Sequence, residues 1–362
     1  MKFNTNKLSQ KFSKTFFLAF FTVFFAFNLA NAQDKKPEEV KVEETKKEEN
    51  IGDIILHHVG DSHEWHFFTV GHTHVTLPLP VILYSDNGLD VFMSSEFHHG
   101  EKSVTKGANI YKLDSHDHIK ETSGKKIYDI SITKNVASLF LSIVLLIFVF
   151  TSVAGAYKKN QGQAPKGMQS FFEPIVVFVR DEIAKKNIGP KYERYMPYLL
   201  TLFFFIWFNN MLGLMPGGAN VSGNIAVTMV LSVLTLIITL VTSNKNYWSH
   251  ILAMPGVPKP ILLILTPVEL LGIFTKPFSL MIRLFANITA GHIVILSFIC
   301  LIFIFKNAIV GAAVVPLVVA MNCLEIFVAL LQAYVFTLLT ALYFGSAVEE
   351  HHHEDEKHSA AH

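Results

Sequence analysis

Long apolar runs dominate the second half of the chain, and the first three are close to the length of a membrane-spanning helix. These runs are Val136–Tyr157, Tyr198–Leu214 and Asn224–Thr242. About 20 apolar residues cross the ~30 Å hydrocarbon core of a bilayer. Two further apolar regions, Ile261–Phe305 and Val314–Phe344, bring the set to five. The pattern predicts an all-α polytopic membrane protein with about five membrane spans.

The last two apolar regions are too long for upright spans. Phe278–Phe305 would extend over ~42 Å as a helix and Val314–Phe344 over ~46 Å, at ~1.5 Å per residue. Lys306-Asn307 and Gly311 are placed to form the turn between them. We therefore expect a long, tilted helical hairpin at the C-terminal end.

The first 32 residues have the pattern of a signal peptide. Four lysines precede the apolar run Thr15–Leu29, and Ala30-Asn31-Ala32 matches a small-x-small cleavage site. The alternative is a first membrane helix. Cleavage would leave the mature chain starting near Gln33, on the far side of the membrane.

The region that follows consists of two segments that differ in composition. Residues 33–50 carry mixed charge with almost nothing to bury, which predicts a disordered linker. Residues 51–134 alternate in places, and Asp86-Asn87-Gly88 indicates a hairpin turn. We expect a small extramembrane β-containing module, periplasmic in location, that leans on the membrane domain of residues 135–348.

Histidines are concentrated in that module and in the tail of residues 349–362. The module holds ten of the 17 histidines, including the pairs His72/His74 and His116/His118. Metal binding is one interpretation, but the wider spacing is irregular, and a solvated face is favoured. The tail is expected to be a disordered cytoplasmic end.

Loop charges predict the orientation. By the positive-inside rule, basic residues mark cytoplasmic loops. The loop between the first two spans is basic, whereas the next loop has no Lys or Arg. This predicts a periplasmic mature N-terminus and a cytoplasmic C-terminus. The basic residues are Lys158, Lys159, Lys166, Arg180, Lys185, Lys186, Lys191 and Arg194.

Composition excludes several classes of protein. The chain is 51% hydrophobic and 16% charged, which is too apolar for an ordinary soluble domain. A net charge of +1 gives no indication of nucleic-acid binding. Neither a GxxxxGK[ST] loop nor GxGxxG occurs, so we expect no cofactor. Cys300 and Cys323 lie in apolar stretches, which predicts buried apolar positions rather than a disulfide or metal site.

Polar residues within the predicted hairpin are the strongest chemical signal. Placing Arg283 at bilayer depth costs at least ~3 kcal/mol, so this residue needs a partner or a task. Glu269, Lys276 and Arg283 are seven apart, and Asn287 follows four residues later. These four share one helix face if the helix continues through Pro277. His292 lies about 180° away.

The second helix of the hairpin carries an acid. Glu325 and Gln332 are seven apart and share a face. His292 could pair with Glu325, and a Glu/His pair in a wet crevice is a proton relay. The alternative, a buried Arg283–Glu325 salt bridge, is disfavoured by the helical wheel.

These motifs resemble subunit a of the F-type ATP synthase membrane sector, over about Val136–Glu350. The resemblance is carried by Ser279-Leu280-x-x-Arg283-Leu284-Phe285-Ala286-Asn287-x-x-Ala290-Gly291-His292, by Leu331-Gln332-Ala333-Tyr334-Val335-Phe336, by Asn209-Asn210-Met211-Leu212-Gly213 and by Gly223-Asn224-Ile225-Ala226. In many bacterial members Glu stands at the position of His292 and His at that of Glu325. The exchange, which keeps one of each, suggests that the two positions meet.

The resemblance implies a proton-conducting stator subunit, without catalysis of its own, in a bacterial inner membrane. Its partners would be the c-subunit ring, the b-subunit peripheral stalk, other ATP synthase subunits and the lipid bilayer. Arg283 would separate two half-channels and keep the facing ring carboxylate ionised. His292, Glu325 and Gln332 would belong to the outer half-channel or its rim, and Glu269 to the inner half-channel. The alternative for Gln332 is that it supports Arg283.

Two other classes remain open. A secondary transporter could use Arg283 to bind an anionic substrate, although the chain shows no internal repeat. A membrane-anchored metal-binding protein could be built around the histidine-rich module. That interpretation leaves the polar residues of the hairpin unexplained.

Overall fold

The computed structural model describes residues 60–349 except 71–72, 99, 101, 108, 115–116, 160–161, 216 and 253–257. The predicted signal peptide, the charged linker and all of the C-terminal tail beyond Glu349 therefore lie outside the described residues.

In its described residues, the membrane part of the chain consists of helices joined by short connections. Five helical segments of the described residues are long and apolar enough to span a bilayer: α1, the run from α2 to α3, α4, α6 and α7. The predicted polytopic α-helical fold is thus confirmed. The helices are α1 Lys134–Lys159, α2 Met168–Phe178, α3 Tyr192–Gly213, α4 Ile225–Thr242, α5 Lys245–Leu252, α6 Lys259–Phe305 and α7 Ala308–Val348.

Helical structure also fills the gap between α2 and α3. A π-helix covers Val179–Lys185, a single α-helical turn follows at Lys186–Ile188, and a 3-10 turn covers Gly189–Lys191. The predicted second span, Tyr198–Leu214, was therefore too short at its N-terminal end. The apolar count marks the residues that lipid can cover, whereas a helix continues as long as its backbone hydrogen bonds are satisfied.

The C-terminal hairpin is longer than predicted. Helix α6 has 47 residues and α7 has 41, and α6 continues through Pro267 and Pro277. The turn is Lys306-Asn307, as predicted, but Gly311 lies inside α7 and is not part of it. A glycine is tolerated within a helix, so an isolated glycine is a weak indication of a turn.

In its described residues, the N-terminal module contains eight strands in three antiparallel sheets, which confirms the small β-containing module that we expected. The sheet orders are β1-β2, β4-β3-β8 and β5-β6-β7. The strands are β1 Glu64–Val70, β2 Thr73–Pro78, β3 Pro80–Ser85, β4 Gly88–Met93, β5 Val104–Lys106, β6 Asn109–Leu113, β7 Ile119–Glu121 and β8 Tyr128–Asp129.

The predicted hairpin turn is confirmed. Ser85 pairs with Gly88, which leaves Asp86-Asn87 as a two-residue loop, and Gly88 has a φ of +122° that favours glycine. Strand alternation then directs one side of β3 and β4 into an apolar core. The core residues are Val81, Leu83, Phe92, Phe97, Val104, Tyr111 and Ile119.

A polar network ties the start of the module to the start of α1. Asp61 accepts hydrogen bonds from the Asn135 amide (3.1 Å) and the Thr133 hydroxyl (2.8 Å), and Lys134 Nζ donates to the Gly60 carbonyl (2.9 Å). Because these bonds join residues more than 70 positions apart, the module is held against the end of the membrane helix.

A pair formed by the buried His63 and the more exposed Asp129 lies beside this network. His63 Nε2 is 2.8 Å from Asp129 Oδ2, and His63 Nδ1 is 3.1 Å from the Asp117 carbonyl. Burial alone would lower the pKa of His63, but the bond to Asp129 and the neighbouring charges raise it. Burial alone would raise the pKa of Asp129, but its bonds to His63 and Ser131 lower it to about 2.

Contacts divide the chain into two compact units. The first comprises residues 1–173, 204–224 and 285–332. Within it, Trp65 Nε1 donates to the Gly217 carbonyl at 2.6 Å, so the module leans on the membrane domain, as predicted. Phe150, Phe172 and Phe204 form an aromatic cluster with ring centroids 4.7–5.7 Å apart.

The second unit comprises residues 174–203, 225–284 and 333–362. Within it, Tyr195 and Tyr198 pack on Phe344, at centroid distances of 4.7 and 5.7 Å. Tyr198 also shares a hydrogen bond of 2.9 Å with the Thr235 hydroxyl. These contacts join α3 to α4 and to the last turns of α7.

Candidate functional site

His292 of α6 and Glu325 of α7 meet in the first unit. His292 Nδ1 lies 3.7 Å from Glu325 Oε1, and the two side chains are 20% and 4% exposed. They meet because the two-residue turn at Lys306-Asn307 returns the chain antiparallel to itself. A small rotation of either side chain would bring the two atoms to hydrogen-bond distance.

The carboxylate of Glu325 is closely enclosed. Among the described residues, neither of its oxygens has a hydrogen-bond partner. A Cβ atom added at Gly291 would lie 2.8 Å from Glu325 Oε1 and 3.2 Å from its Cδ. Gly291 therefore makes room for the acid beside His292. A buried acid without hydrogen bonds is costly and is characteristic of functional positions in membranes.

Two further polar side chains belong to the same unit. Gln332 lies two helical turns beyond Glu325 and is 5% exposed. Asn210 of α3 donates from Nδ2 to the Ala329 carbonyl at 3.1 Å. This bond fixes α7 against α3 between Glu325 and Gln332. Of the predicted set, the structure thus brings His292 and Glu325 together, and it buries Gln332 further along α7.

Arg283 has a different environment. Because α6 is continuous, Lys276, Arg283 and Asn287 lie along one helix, and all three are exposed on the surface of the chain. Within the second unit, Arg283 forms no ion pair with an acid among the described residues. It lies close enough to Tyr343 of α7 for a Coulombic interaction. Lys276 Nζ lies 5.7 Å from the centroid of the same tyrosine ring.

Glu269 lines a polar cavity in the second unit. The cavity has a volume of about 200 Å³, which is room for several water molecules. Helix α6 contributes Glu269 and Lys276 to the wall, α5 contributes Tyr247 and His250, and Glu349 follows α7. By helix rise, Glu269 is ~21 Å from Arg283 along α6.

The two cysteines do not lie where we predicted. Cys323 is exposed on the surface of the chain and Cys300 is partly exposed, so neither is fully buried. An apolar stretch predicts burial in a soluble protein, but in a membrane protein the lipid-facing surface is apolar too.

The histidine-rich module shows no metal centre in its described part. Across the part of the chain that the structure describes, no group of three or more His, Cys, Asp or Glu side chains is arranged to hold a metal ion. His72 and His116, one member of each predicted pair, lie outside the described residues. His118 is exposed, as a solvated face would require.

Sequence reasoning missed three contributors. Gly291 stands in the quoted motif next to His292, but its role depends on its distance from Glu325. His250 and Glu349 line the Glu269 cavity from elements far along the chain. No spacing pattern links those positions, so only the folded chain could reveal them.

Fold and site together define a polytopic α-helical membrane protein with facing titratable side chains on its last two helices. The chain belongs to the ATP synthase A chain family, whose model matches residues 136–345. Residues 54–138 match a second family, described only as a domain of unknown function.

Relatives among curated proteins carry the same family name. The chain is 39% identical to ATP synthase subunit a of Chlorobium phaeobacteroides, over 87% of this chain and 80% of that protein. It is 41% identical to ATP synthase subunit a 2 of Chlorobaculum tepidum, over 83% of this chain and 74% of the relative. The chain is 44% identical to ATP synthase subunit a of Chloroherpeton thalassium, over 65% of this chain and 72% of that protein.

Proposed function

We propose that this chain is the proton-conducting stator subunit of an F-type ATP synthase and performs no catalysis of its own. One observation carries the proposal. His292 and Glu325 face each other within the first unit, and Arg283, which precedes them on α6 within the second unit, is exposed. Together with family membership, this arrangement favours proton transfer to a partner that lies against Arg283.

His292, Glu325 and Gln332 form the outer half-channel in this proposal. His and Glu can both change charge at accessible pH, and at 3.7 Å they can exchange a proton after a small rotation. Gln332 extends the polar face of α7 by two helical turns. Asn287, exposed on α6 one turn beyond Arg283, provides a polar side chain beside the partner surface.

Arg283 separates the two half-channels. A guanidinium cannot be deprotonated in a protein, so it cannot relay a proton. Its exposure leaves the charge accessible to a carboxylate on the c-subunit ring, which it would keep ionised while the two face each other. The driving force is about 2.3 kcal/mol per proton for each 100 mV of membrane potential.

The polar cavity beside Glu269 provides the inner half-channel. It is large enough for water, and its wall carries the ionisable side chains of Glu269, His250 and Glu349. Lys276 and Tyr343 lie between Glu269 and Arg283 along this side of the hairpin. Protons released from the ring would pass from the neighbourhood of Arg283 towards this cavity.

The proposed orientation in the membrane follows from the charge of the loops. The basic loop between the first two spans would be cytoplasmic, which places the module on the periplasmic side of a bacterial inner membrane. The c-subunit ring and the b-subunit peripheral stalk would be the partners of the membrane domain. Neither a secondary transporter nor a metal-binding protein would explain why the chain carries both the His292–Glu325 pair and the exposed Arg283.

Passive proton flux through assembled complexes stripped of the catalytic head tests the proposal. We expect His292→Ala and Glu325→Ala each to reduce flux, with combined losses that are not additive, because the residues share one network. The reciprocal exchange, His292→Glu with Glu325→His, should recover more flux than either half of it. Additive losses without rescue would show that the two residues act separately.

A matched control is available on the same helix. The Ser297 hydroxyl is exposed and donates to the Ile293 carbonyl of α6 itself. Ser297→Ala therefore removes a polar group without touching the pair, and we expect normal flux. Reduced flux in this control would mean that the assay reports general disturbance of α6.

A further inference from the structure

The β4-β3-β8 sheet of the module is apolar on both faces. One face supplies Val81, Leu83 and Phe92 to the core. The opposite face is exposed and carries no charged side chain from the outward positions of its strands. A small antiparallel sheet normally keeps its second face polar. The outward residues are Tyr84, Leu89, Val91, Met93, Tyr128 and Ile130, and they are between 42% and 65% exposed.

Strand register makes these side chains one continuous surface. Tyr84 pairs with Leu89 on one side and with Tyr128 on the other, which forms a row across all three strands. Ile82 pairs with Val91, and its carbonyl accepts from the Ile130 amide at 2.9 Å, which forms a second row. Apolar patches that extend over several hundred Å² on a folded surface usually mark an interaction site.

This surface lies next to the point where the chain enters the membrane. Beyond β8 the chain stays paired with β3, since the Ile132 amide donates to the Pro80 carbonyl at 3.1 Å. Lys134 lies only four positions beyond Ile130, at most ~13 Å of extended chain. Helix α1 then presents Val136 and Phe140 on its exposed surface. The apolar sheet face and the lipid-facing side of α1 are therefore neighbours along one stretch of chain.

The chemistry of the surface suits a membrane interface. Tyr84 and Tyr128 combine an apolar ring with a polar hydroxyl, and tyrosine is enriched at the level of lipid headgroups. Lys125 and Lys126 are exposed, and only Ile127 separates them from the first residue of β8. Ammonium groups beside an apolar surface are attracted to anionic lipids.

We propose that the outer face of the β4-β3-β8 sheet docks on the lipid leaflet at which α1 begins. Its apolar side chains enter the boundary between headgroups and acyl chains, and Lys125 and Lys126 contact anionic headgroups. The module is thereby a membrane-surface anchor in addition to being tethered through α1. The proposal does not depend on the proton-channel assignment, because it concerns only the module and the first helix.

Depth-dependent fluorescence quenching in the assembled complex tests this proposal. With Cys300 and Cys323 replaced by serine, a single cysteine at Val91 is labelled with an environment-sensitive fluorophore. The complex is reconstituted into phosphatidylcholine–phosphatidylglycerol vesicles with brominated acyl chains. The matched control is the same label at Lys112, an exposed outward position of β6 in another sheet. We expect quenching severalfold stronger at Val91 than at Lys112.

Two further measurements decide between lipid and protein as the occupant. Lys125→Glu with Lys126→Glu should weaken the quenching at Val91, and leaving out phosphatidylglycerol should have the same effect. Equal quenching at Val91 and Lys112 would overturn the proposal. So would protection of the Val91 label from aqueous iodide without quenching by the brominated acyl chains, because another subunit would then cover the face. If the Val91 variant does not assemble, labelling at Tyr128 provides the same test.

Discussion

Gly291→Ala tests how closely the acid of the candidate relay must be positioned. The added Cβ would lie 2.8 Å from Glu325 Oε1, whereas ordinary contacts of Cβ atoms begin near 3.4 Å. The difference between these separations is about 0.6 Å, and the Glu325 carboxylate is the end of a flexible side chain that can move. The carboxylate must retreat by about that distance.

The expected effect on proton transfer follows from this displacement. A misplacement of ~1 Å in reacting groups can reduce a rate ~100-fold. A shift of about 0.6 Å should therefore reduce flux about tenfold, equivalent to ~1.4 kcal/mol in the barrier. The cost in stability should stay near ~1 kcal/mol, the low end for an overpacked site, because the atom that moves is the end of a flexible side chain.

Passive proton flux through head-stripped vesicles is the assay, after assembly of each variant has been verified. Gly311→Ala is the matched control, since the nearest atom to its added Cβ is Ile302 Cγ2 at an ordinary 3.8 Å. Combining Gly291→Ala with Glu325→Asp, which shortens the acid, should cost less than the two single losses together. Wild-type flux in Gly291→Ala would refute the reasoning.

Three further predictions concern other parts of the chain. Arg283→Lys should abolish coupled ATP synthesis in fully assembled complex, because an ammonium can lose its proton and lacks the planar fork; normal synthesis would contradict this. N-terminal sequencing of the mature subunit should begin at Gln33, and an intact Met1 would show that the segment is a membrane anchor. The pKa of His63 is raised in the folded module above its unfolded value of 6.5. His63 therefore stabilises the folded module below pH 6.5, and this stabilisation is lost as the pH rises through the folded-state pKa. The pKa of Asp129 is lowered in the folded module from 3.8 to about 2. Asp129 therefore stabilises the folded module above pH 3.8, and this stabilisation is lost as the pH falls through about 2. After allowance for solvent screening, the Asp129 contribution should be about 1 kcal/mol. Protease resistance of the module in intact complex, measured between about pH 6 and 9, should therefore fall with rising pH, and His63→Asn should remove the dependence.

The sequence by itself determined the features that depend on neighbours along the chain. Apolar runs of sufficient length identify membrane helices, because lipid can satisfy no backbone hydrogen bonds and every span must satisfy its own. Asp86-Asn87-Gly88 identified a turn because few residues adopt the required backbone angles. The stripe of Glu269, Lys276, Arg283 and Asn287 required only helical periodicity and the continuation of α6 through Pro277.

Only the tertiary structure decided which distant residues meet. A helical wheel shows that His292 faces away from Arg283, but the contact with Glu325 depends on the exact turn between α6 and α7 and on the space left by Gly291. The cavity beside Glu269 gathers side chains from α5, α6 and the end of α7. Strand pairing likewise placed the apolar outer face of the module's sheet next to α1. Packing and register set these distances, and neither is encoded in the periodicity of a single segment.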